Sequence, residues 1–230
     1  NYTGGSTLTG STDISSNSLY HVAYVLDSGT MKIYVNGVLD ASGAFSAGTL
    51  TTVGFNIGTE DFLPSYLLNG KIYSIRITKD VARYTGNFTP DMSNPYFACS
   101  GDYEYVPKRY KSKVILDASD ASTLIDASGK LGAWNDVLGK NNYAQATDSY
   151  RPTVANNELG VIPSVYFAGG KGITGVTTPS ETLPASWNGC VIFLAKGLNN
   201  IAACGATTGG TCLCSNNSGA LTFANQPGVA

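Results

Sequence analysis

The sequence predicts an all-β protein, an antiparallel sandwich of short strands. Only 13% of the 230 residues are charged, about half the share usual in a soluble domain. Glycine supplies 27 residues, and Gly, Ser, Thr and Asn cluster between short apolar runs, the texture of a turn-rich β protein rather than a helical bundle. Where apolar residues recur they do so with a period of two. The hydrophobic share of 43% suffices for a core and excludes a disordered chain.

The alternation begins at Leu19. Val22, Tyr24 and Leu26 face one way, and His21, Ala23 and Val25 the other. Asp27-Ser28-Gly29-Thr30 turns the chain and residues 31–35 return it. Asn36-Gly37 then lies between Val35 and Val38, a type I′ hairpin signal, because both central positions need positive φ. Residues 19–42 thus read as a three-stranded meander. Strands are expected next at 51–57, closed by Gly58, and at 70–78. In the second, Tyr73, Ile75 and Ile77 should alternate with Ile72, Ser74 and Arg76. Residues 79–86 are too few for an ordinary helix, and Pro90 and Pro95 lead out of this first unit.

Residues 100–113 mix Lys108, Arg109, Lys111 and Lys113 with Tyr103, Tyr105 and Tyr110. Such a segment could contact single-stranded nucleic acid, but it reads better as a solvated linker. A second unit opens at Val114-Ile115-Leu116-Asp117 and runs through Trp134-Asn135-Asp136 and Arg151-Pro152-Thr153 to a strand at 164–167. After glycines at 169–172 comes a short apolar strand, 190–195, and then a small, polar tail whose apolar patch is Leu221-Thr222-Phe223.

A net charge of −2 lacks the electrostatic footprint of a nucleic-acid binder. No apolar run approaches the roughly 18 residues of a membrane helix, so neither nucleic acid nor membrane is an expected partner. The opening Asn1-Tyr2-Thr3-Gly4-Gly5 reads as that of a piece of a longer chain or of a processed product. Among the five cysteines, Cys204, Cys212 and Cys214 lie close together, but with a single histidine they lack a full zinc spacing and read as ordinary thiols.

Candidate chemistry is sparse. Glu60 and Asp61 are adjacent and so point to opposite faces of an extended chain. Asp117 and Asp120 sit in a turn-like Asp-Ala-Ser repeat, where aspartate usually caps its own backbone. His21, the lone histidine, lies mid-strand among apolar neighbours and reads as structural. Neither Cys190 nor any serine has a base at motif spacing, and no nucleophile elbow, P-loop or dinucleotide fingerprint is present. The expectation is a protein that is not an enzyme, with no catalytic residue, cofactor or metal. Trp134, Trp187 and the tyrosines of 103–110 are candidates for stacking on sugars, each with a core or interface role as its alternative. Sequons stand at Asn1, Asn87 and Asn216, a pattern frequent by chance in so polar a chain.

Several stretches resemble a known family. Leu19-Tyr20-His21-Val22-Ala23, the run from Asp27-Ser28-Gly29-Thr30 to Tyr34-Val35-Asn36-Gly37, and Gly70-Lys71-Ile72-Tyr73-Ser74-Ile75-Arg76-Ile77 resemble the C-terminal half of a laminin-G/concanavalin A-like domain. The continuation Thr78-Lys79-Asp80-Val81-Ala82-Arg83-Tyr84-Thr85-Gly86-Asn87-Phe88-Thr89-Pro90 resembles the ending of such domains in bacteriophage structural and tail proteins. In the second unit, Leu116-Asp117-Ala118-Ser119-Asp120-Ala121-Ser122-Thr123-Leu124, Trp134-Asn135-Asp136, Arg151-Pro152-Thr153 and Pro163-Ser164-Val165-Tyr166-Phe167 resemble the opening of another laminin-G-like domain. Where that family carries Asp, Ala168 stands here, which lowers the expectation of calcium. Asp61, Asp126 and Asp136 stay open as possible ligands.

The resemblance implies a concanavalin A/laminin-G-like jelly roll in parts of two tandem domains. Residues 1–98 would be the C-terminal part of one sandwich, 99–113 a linker, and 114–230 the N-terminal part of a second. A single permuted sandwich whose halves pair is the alternative. The sandwich enzymes of this superfamily, such as β-glucanases, set paired carboxylates on one strand in an E-x-D-x-x-E string, and this sequence has none. The implied protein is a non-enzymatic virion component, a head or tail fibre or decoration protein. It would be present in many copies as a homo-oligomer, in contact with other virion structural proteins and with host-surface glycans as a second partner. A bacterial surface adhesin, or a carbohydrate-binding module of a secreted enzyme, is the rival.

Overall fold

The computed structural model describes residues 7–14, 18–44, 48–50, 56–58, 68–90, 112–137, 139, 142–155, 163–169, 171–175, 181–183, 189–199, 202–203, 211–215 and 220–225. Its strands, in chain order, are β1 (Thr7–Asp13), β2 (Leu19–Asp27), β3 (Thr30–Val35), β4 (Val38–Ala44), β5 (Gly48–Leu50), β6 (Asn56–Ile57) and β7 (Asn69–Lys79). There follow β8 (Ser112–Asp117), β9 (Leu124–Ala127), β10 (Lys130–Asn135), β11 (Asn142–Ala144), β12 (Thr153–Ala155), β13 (Ser164–Ala168) and β14 (Ile173–Gly175). The last are β15 (Glu181–Leu183), β16 (Gly189–Asn199), β17 (Ala202–Ala203), β18 (Thr211–Ser215) and β19 (Ala220–Asn225). Helix among the described residues is confined to two 3-10 turns, Ala121–Thr123 and Asp148–Tyr150.

Two-residue turns with both central residues at positive φ begin the folding-back. They are Ser28-Gly29 (48° and 81°), Asn36-Gly37 (50° and 81°) and Ser128-Gly129 (60° and 79°). This geometry matches the twist of the strands it joins. The first two make the meander β2-β3-β4, as the sequence predicts, and the third joins β9 to β10.

Every pairing among the described strands is antiparallel. One sheet runs β1-β19-β18-β17-β6-β14-β11-β10-β9, a second β12-β13-β7-β16-β2-β3-β4 with β8 also on β7, and β15 pairs with β5 in a small third. The fold is an antiparallel β-sandwich with almost no helix, consistent with the concanavalin A-like class.

The strands do not respect the expected boundary at 99–113. Each sheet takes members from both sides of it, and β16 lies between β2 and β7, in register with Leu26 to Leu19 on one side and with Lys79 to Asn69 on the other. Ser112 and Lys113 belong to β8, while the rest of the expected linker lies outside the described residues. Described strands from the two sides of 99–113 thus lie together in shared sheets. The physical reason is that a half-sandwich leaves a row of backbone donors and acceptors bare, and β16 fills both the β2 and the β7 edge.

The core lies between the sheets. Val22, Tyr24 and Ile33 of β2 and β3, with Ile72, Leu116, Val165 and Phe167, pack in one cluster with Ile57, Leu131, Trp134 and Ile173 of the other sheet. Each such apolar side chain stabilises the fold by about 1.5–3 kcal/mol on burial. The expected alternation in β7 breaks at one residue. Leu194 pairs with Ser74 but Ala195 with Ile72, so Tyr73 is an extra residue. That bulge puts Ile72 on the same face as Ile75. Its carbonyl accepts from the Ala118 backbone N–H at 2.9 Å, at the point where β13 gives way to β8 along that edge of β7.

Candidate functional site

The outer face of β2 and β3 is covered. Ala23, Val25 and Tyr34 are buried with Tyr84, and Ala82 and Phe88 pack on them, so residues 81–90 form a strap across the sheet. The strap is fixed at the Asn36-Gly37 turn. Phe88 N–H donates to the Gly37 carbonyl at 2.9 Å and Leu39 N–H donates to Asn87 Oδ1 at 2.9 Å. The approach is so close that a Cβ on Gly37 would stand 1.9 Å from the Phe88 carbonyl oxygen.

His21 is fully buried beneath this strap. Its ring meets Phe88 edge-on at 5.3 Å and Tyr84 at 6.1 Å, and those two rings stack on each other at 3.7 Å. Its backbone exchanges bonds with Asn36, whose N–H donates to the His21 carbonyl at 2.8 Å and whose Oδ1 accepts the His21 N–H at 2.9 Å. Neither ring nitrogen has a hydrogen-bond partner among the described residues. Burial pushes the imidazole pKa down to about 4, so it is neutral at pH 7. It packs as a neutral ring against Tyr84 and Phe88.

The aspartates of the second unit hold backbone. Asp117 Oδ1 accepts from Ser119 N–H and Oγ at 2.8 and 2.7 Å, and Asp120 Oδ1 accepts from Ser122 N–H and Oγ at 3.1 and 2.6 Å. The Asp-Ala-Ser repeat is thus two Asx turns in series. Asp126 caps its own turn through Gly129 N–H at 3.1 Å. Asp136 is buried and accepts Ile115 N–H at 2.8 Å, tying the end of β10 to β8. Burial, and secondarily the Asp136 carboxylate, raises the Tyr143 phenol well above its ordinary range. Among the described residues no group of three or more His, Cys, Asp or Glu converges as a metal site.

Trp134 is fully buried in the core and so is withdrawn as a stacking residue. Trp187, Glu60, Asp61, Cys204 and the tyrosines of 103–110 lie outside the described residues, as do the sequons at Asn1 and Asn216. Ala168 is exposed at the end of β13, opposite Asn69.

An arrangement that the sequence did not single out surrounds the 3-10 turn Asp148–Tyr150. Buried Gln145 organises it. Its Nε2 donates to the Gly172 carbonyl at 3.1 Å, its Oε1 accepts Thr147 N–H at 3.0 Å, and its own N–H donates to the Gly132 carbonyl at 2.9 Å. Arg151 closes the loop, its Nε donating to the Gln145 carbonyl at 2.8 Å and its Nη2 to the Ala146 carbonyl at 3.1 Å. Lys130 from β10 donates to the Asp148 carboxylate, Arg151 Nη1 donates to it at 3.4 Å, and Lys171 donates to the Ser149 carbonyl. The bond from Lys130 foremost, with the charges of Lys130, Arg151 and Lys171, lowers the Asp148 pKa. Tyr150, the last residue of the turn, is 47% exposed, and its carbonyl accepts Gly172 N–H at 3.0 Å. One signal was available, since Tyr150 immediately precedes the Arg151-Pro152-Thr153 motif.

No curated protein and no solved structure matches the chain. Residues 1–83, from β1 to the first residues of the strap, match the laminin G-type family model described as the Concanavalin A-like lectin/glucanases superfamily.

Proposed function

We propose that this chain is a non-enzymatic structural component of a bacteriophage particle, a head or tail fibre or a decoration protein, that also contacts glycans on the host surface. The superfamily matched by residues 1–83 supports the coarser reading, a carbohydrate-binding or architectural β-sandwich. The observation that carries the finer one is the strap. The stretch Thr78 to Pro90, which resembles the ending of laminin-G-like domains in phage structural proteins, is here a built element, with Tyr84 and Phe88 stacked over His21. A residue string with so defined a packing task supports a shared module rather than a chance likeness. Particle context implies repeated copies in symmetric contact with one another and with other structural proteins. The test is quantitative mass spectrometry of purified particles. A copy number at a symmetric multiple relative to the major shell protein is expected. Recovery only from cell envelopes or culture supernatant would overturn the reading in favour of an adhesin.

A further inference from the structure

We propose that the loop around the 3-10 turn Asp148–Tyr150 is a binding site for a carboxylate-bearing saccharide, with Tyr150 stacking on the sugar face and Lys171 and Lys130 holding the carboxylate. This deepens the glycan-attachment part of the proposed function and rests on it. Three features of the molecule argue for it.

The first is charge. The protein as a whole carries −2, yet here Lys130, Arg151 and Lys171 face, among the described residues, the one carboxylate of Asp148. The surplus of positive charge is local and would be met by an anion. An ammonium has three N–H groups. Lys130 spends its donors on the Asp148 side chain and carbonyl, and Lys171 donates to the Ser149 carbonyl, so both retain capacity for a ligand oxygen.

The second is the aromatic ring. An exposed tyrosine in a loop offers an apolar face and a hydroxyl together, which suits a pyranose with one apolar and one polar side. A bare phosphate or sulfate would gain nothing from it. The ring and the cations together select an acidic sugar over either a neutral sugar or a simple anion.

The third is rigidity. Leu131 N–H donates to the Pro152 carbonyl at 2.8 Å and Gly172 N–H donates to the Tyr150 carbonyl at 3.0 Å, so the loop is pinned to β10 and to the residues before β14. Gln145, buried beneath, holds a third side. Little ordering entropy would remain to be lost on binding.

The experiment is titration calorimetry at low and physiological salt with trigalacturonate and sialyllactose, against maltotriose and lactose as neutral counterparts and inorganic sulfate as the anion control. The acidic saccharides should bind, more weakly as salt rises, and the neutral ones and sulfate should not at the same concentrations. Tyr150→Ala should weaken binding about tenfold, the equivalent of one aromatic contact, and Lys171→Met should weaken it and flatten its salt dependence. Thermal unfolding of both variants should match the parent, since both side chains lie at the surface, and Val38→Ser on the distant β4 should leave binding unchanged. Equal affinity for sulfate, or acidic-saccharide binding untouched by Tyr150→Ala, would overturn this site while leaving glycan attachment through another surface standing. Binding of neutral saccharides alone would do the same. If no saccharide of either kind binds, glycan attachment itself falls, and the particle-composition measurement decides the architectural role separately.

Discussion

Replacing His21 with leucine should remove a pH dependence of stability built into the strap. The ring is fully buried against Tyr84 and Phe88, with no partner for either nitrogen among the described residues. Its folded pKa is lowered by desolvation from 6.5 to about 4. Because the folded value is depressed, the unfolded chain binds the proton first. The stabilisation is present in full above pH 6.5 and is lost as pH falls through the window from 6.5 to 4. Two and a half pKa units correspond to about 3 kcal/mol once pH has passed below the folded value, and about 2 kcal/mol of that is gone at pH 5. A domain of this size is stable by about 5–15 kcal/mol, so the effect is measurable. Urea titrations followed by tryptophan fluorescence at pH 7.5, 6 and 5 would give both stability curves. The carboxylates common to the two proteins cancel in the difference, which should move by about 2 kcal/mol towards the leucine variant between pH 7.5 and 5. Parallel curves would refute the reasoning, because they would mean that the imidazole protonates equally well in both states. The size of the difference at pH 7.5 alone does not bear on it, since that reports packing.

Other substitutions test the remaining ties. Gly37→Ala and Gly129→Ala both place a side chain at positive φ, but only the first meets backbone, with Phe88 O at 1.9 Å and nothing within 4 Å at Gly129. Chemical denaturation should therefore show about 1–2 kcal/mol lost at Gly129 and a clearly larger loss at Gly37, with the strap displaced and His21 accessible to diethylpyrocarbonate. Asp40→Ala should cost about 1–3 kcal/mol, because its carboxylate accepts both N–H and hydroxyl of Ser11 and of Thr12 at 2.7–3.0 Å. Amide exchange should then rise first in β1. Trp134→Ala should cost about 3–5 kcal/mol by thermal unfolding, and Trp134→Phe, which keeps most of the buried area, should leave saccharide titrations as they are.

Much of the first unit was legible because its signals are local. Period-two runs and the Asn36-Gly37 turn predict β2 to β4 correctly, since a type I′ turn and the strands beside it are decided within a few residues. The Ser128-Gly129 turn carries the same signal as Ser28-Gly29 and could have been read in the same way. The partners of β16 were not legible, because an apolar run states only that it wants two covered edges and not whose. Nor was the strap. Its residues look like loop, and their burial exists only once the outer face of β2 and β3 is present to receive Tyr84 and Phe88. The site around Tyr150 was missed for a related reason, since Lys130, Asp148 and Lys171 are far apart in the chain and meet only through the ties of Gln145 and Arg151.

Three of the bulges share a common logic. Three extra residues, Asp40 in β4, Tyr73 in β7 and Gly132 in β10, are each skipped by the partner strand. None is idle. Asp40 turns its carboxylate to β1 and so links edge strands of the two large sheets. Tyr73 gives its carbonyl to Ala118 and lets β8 take over from β13 along one edge. Gly132 gives its carbonyl to Gln145, the residue that organises the loop of Tyr150, and a side chain there would meet Ala127 Cβ at 2.8 Å. Between two neighbours, a regular ladder uses the backbone groups of a strand within its own sheet. A bulge frees one residue from the ladder to make a tie elsewhere. These three irregularities are thus where this sandwich fastens edge to edge, strand to successor strand, and core to candidate binding loop.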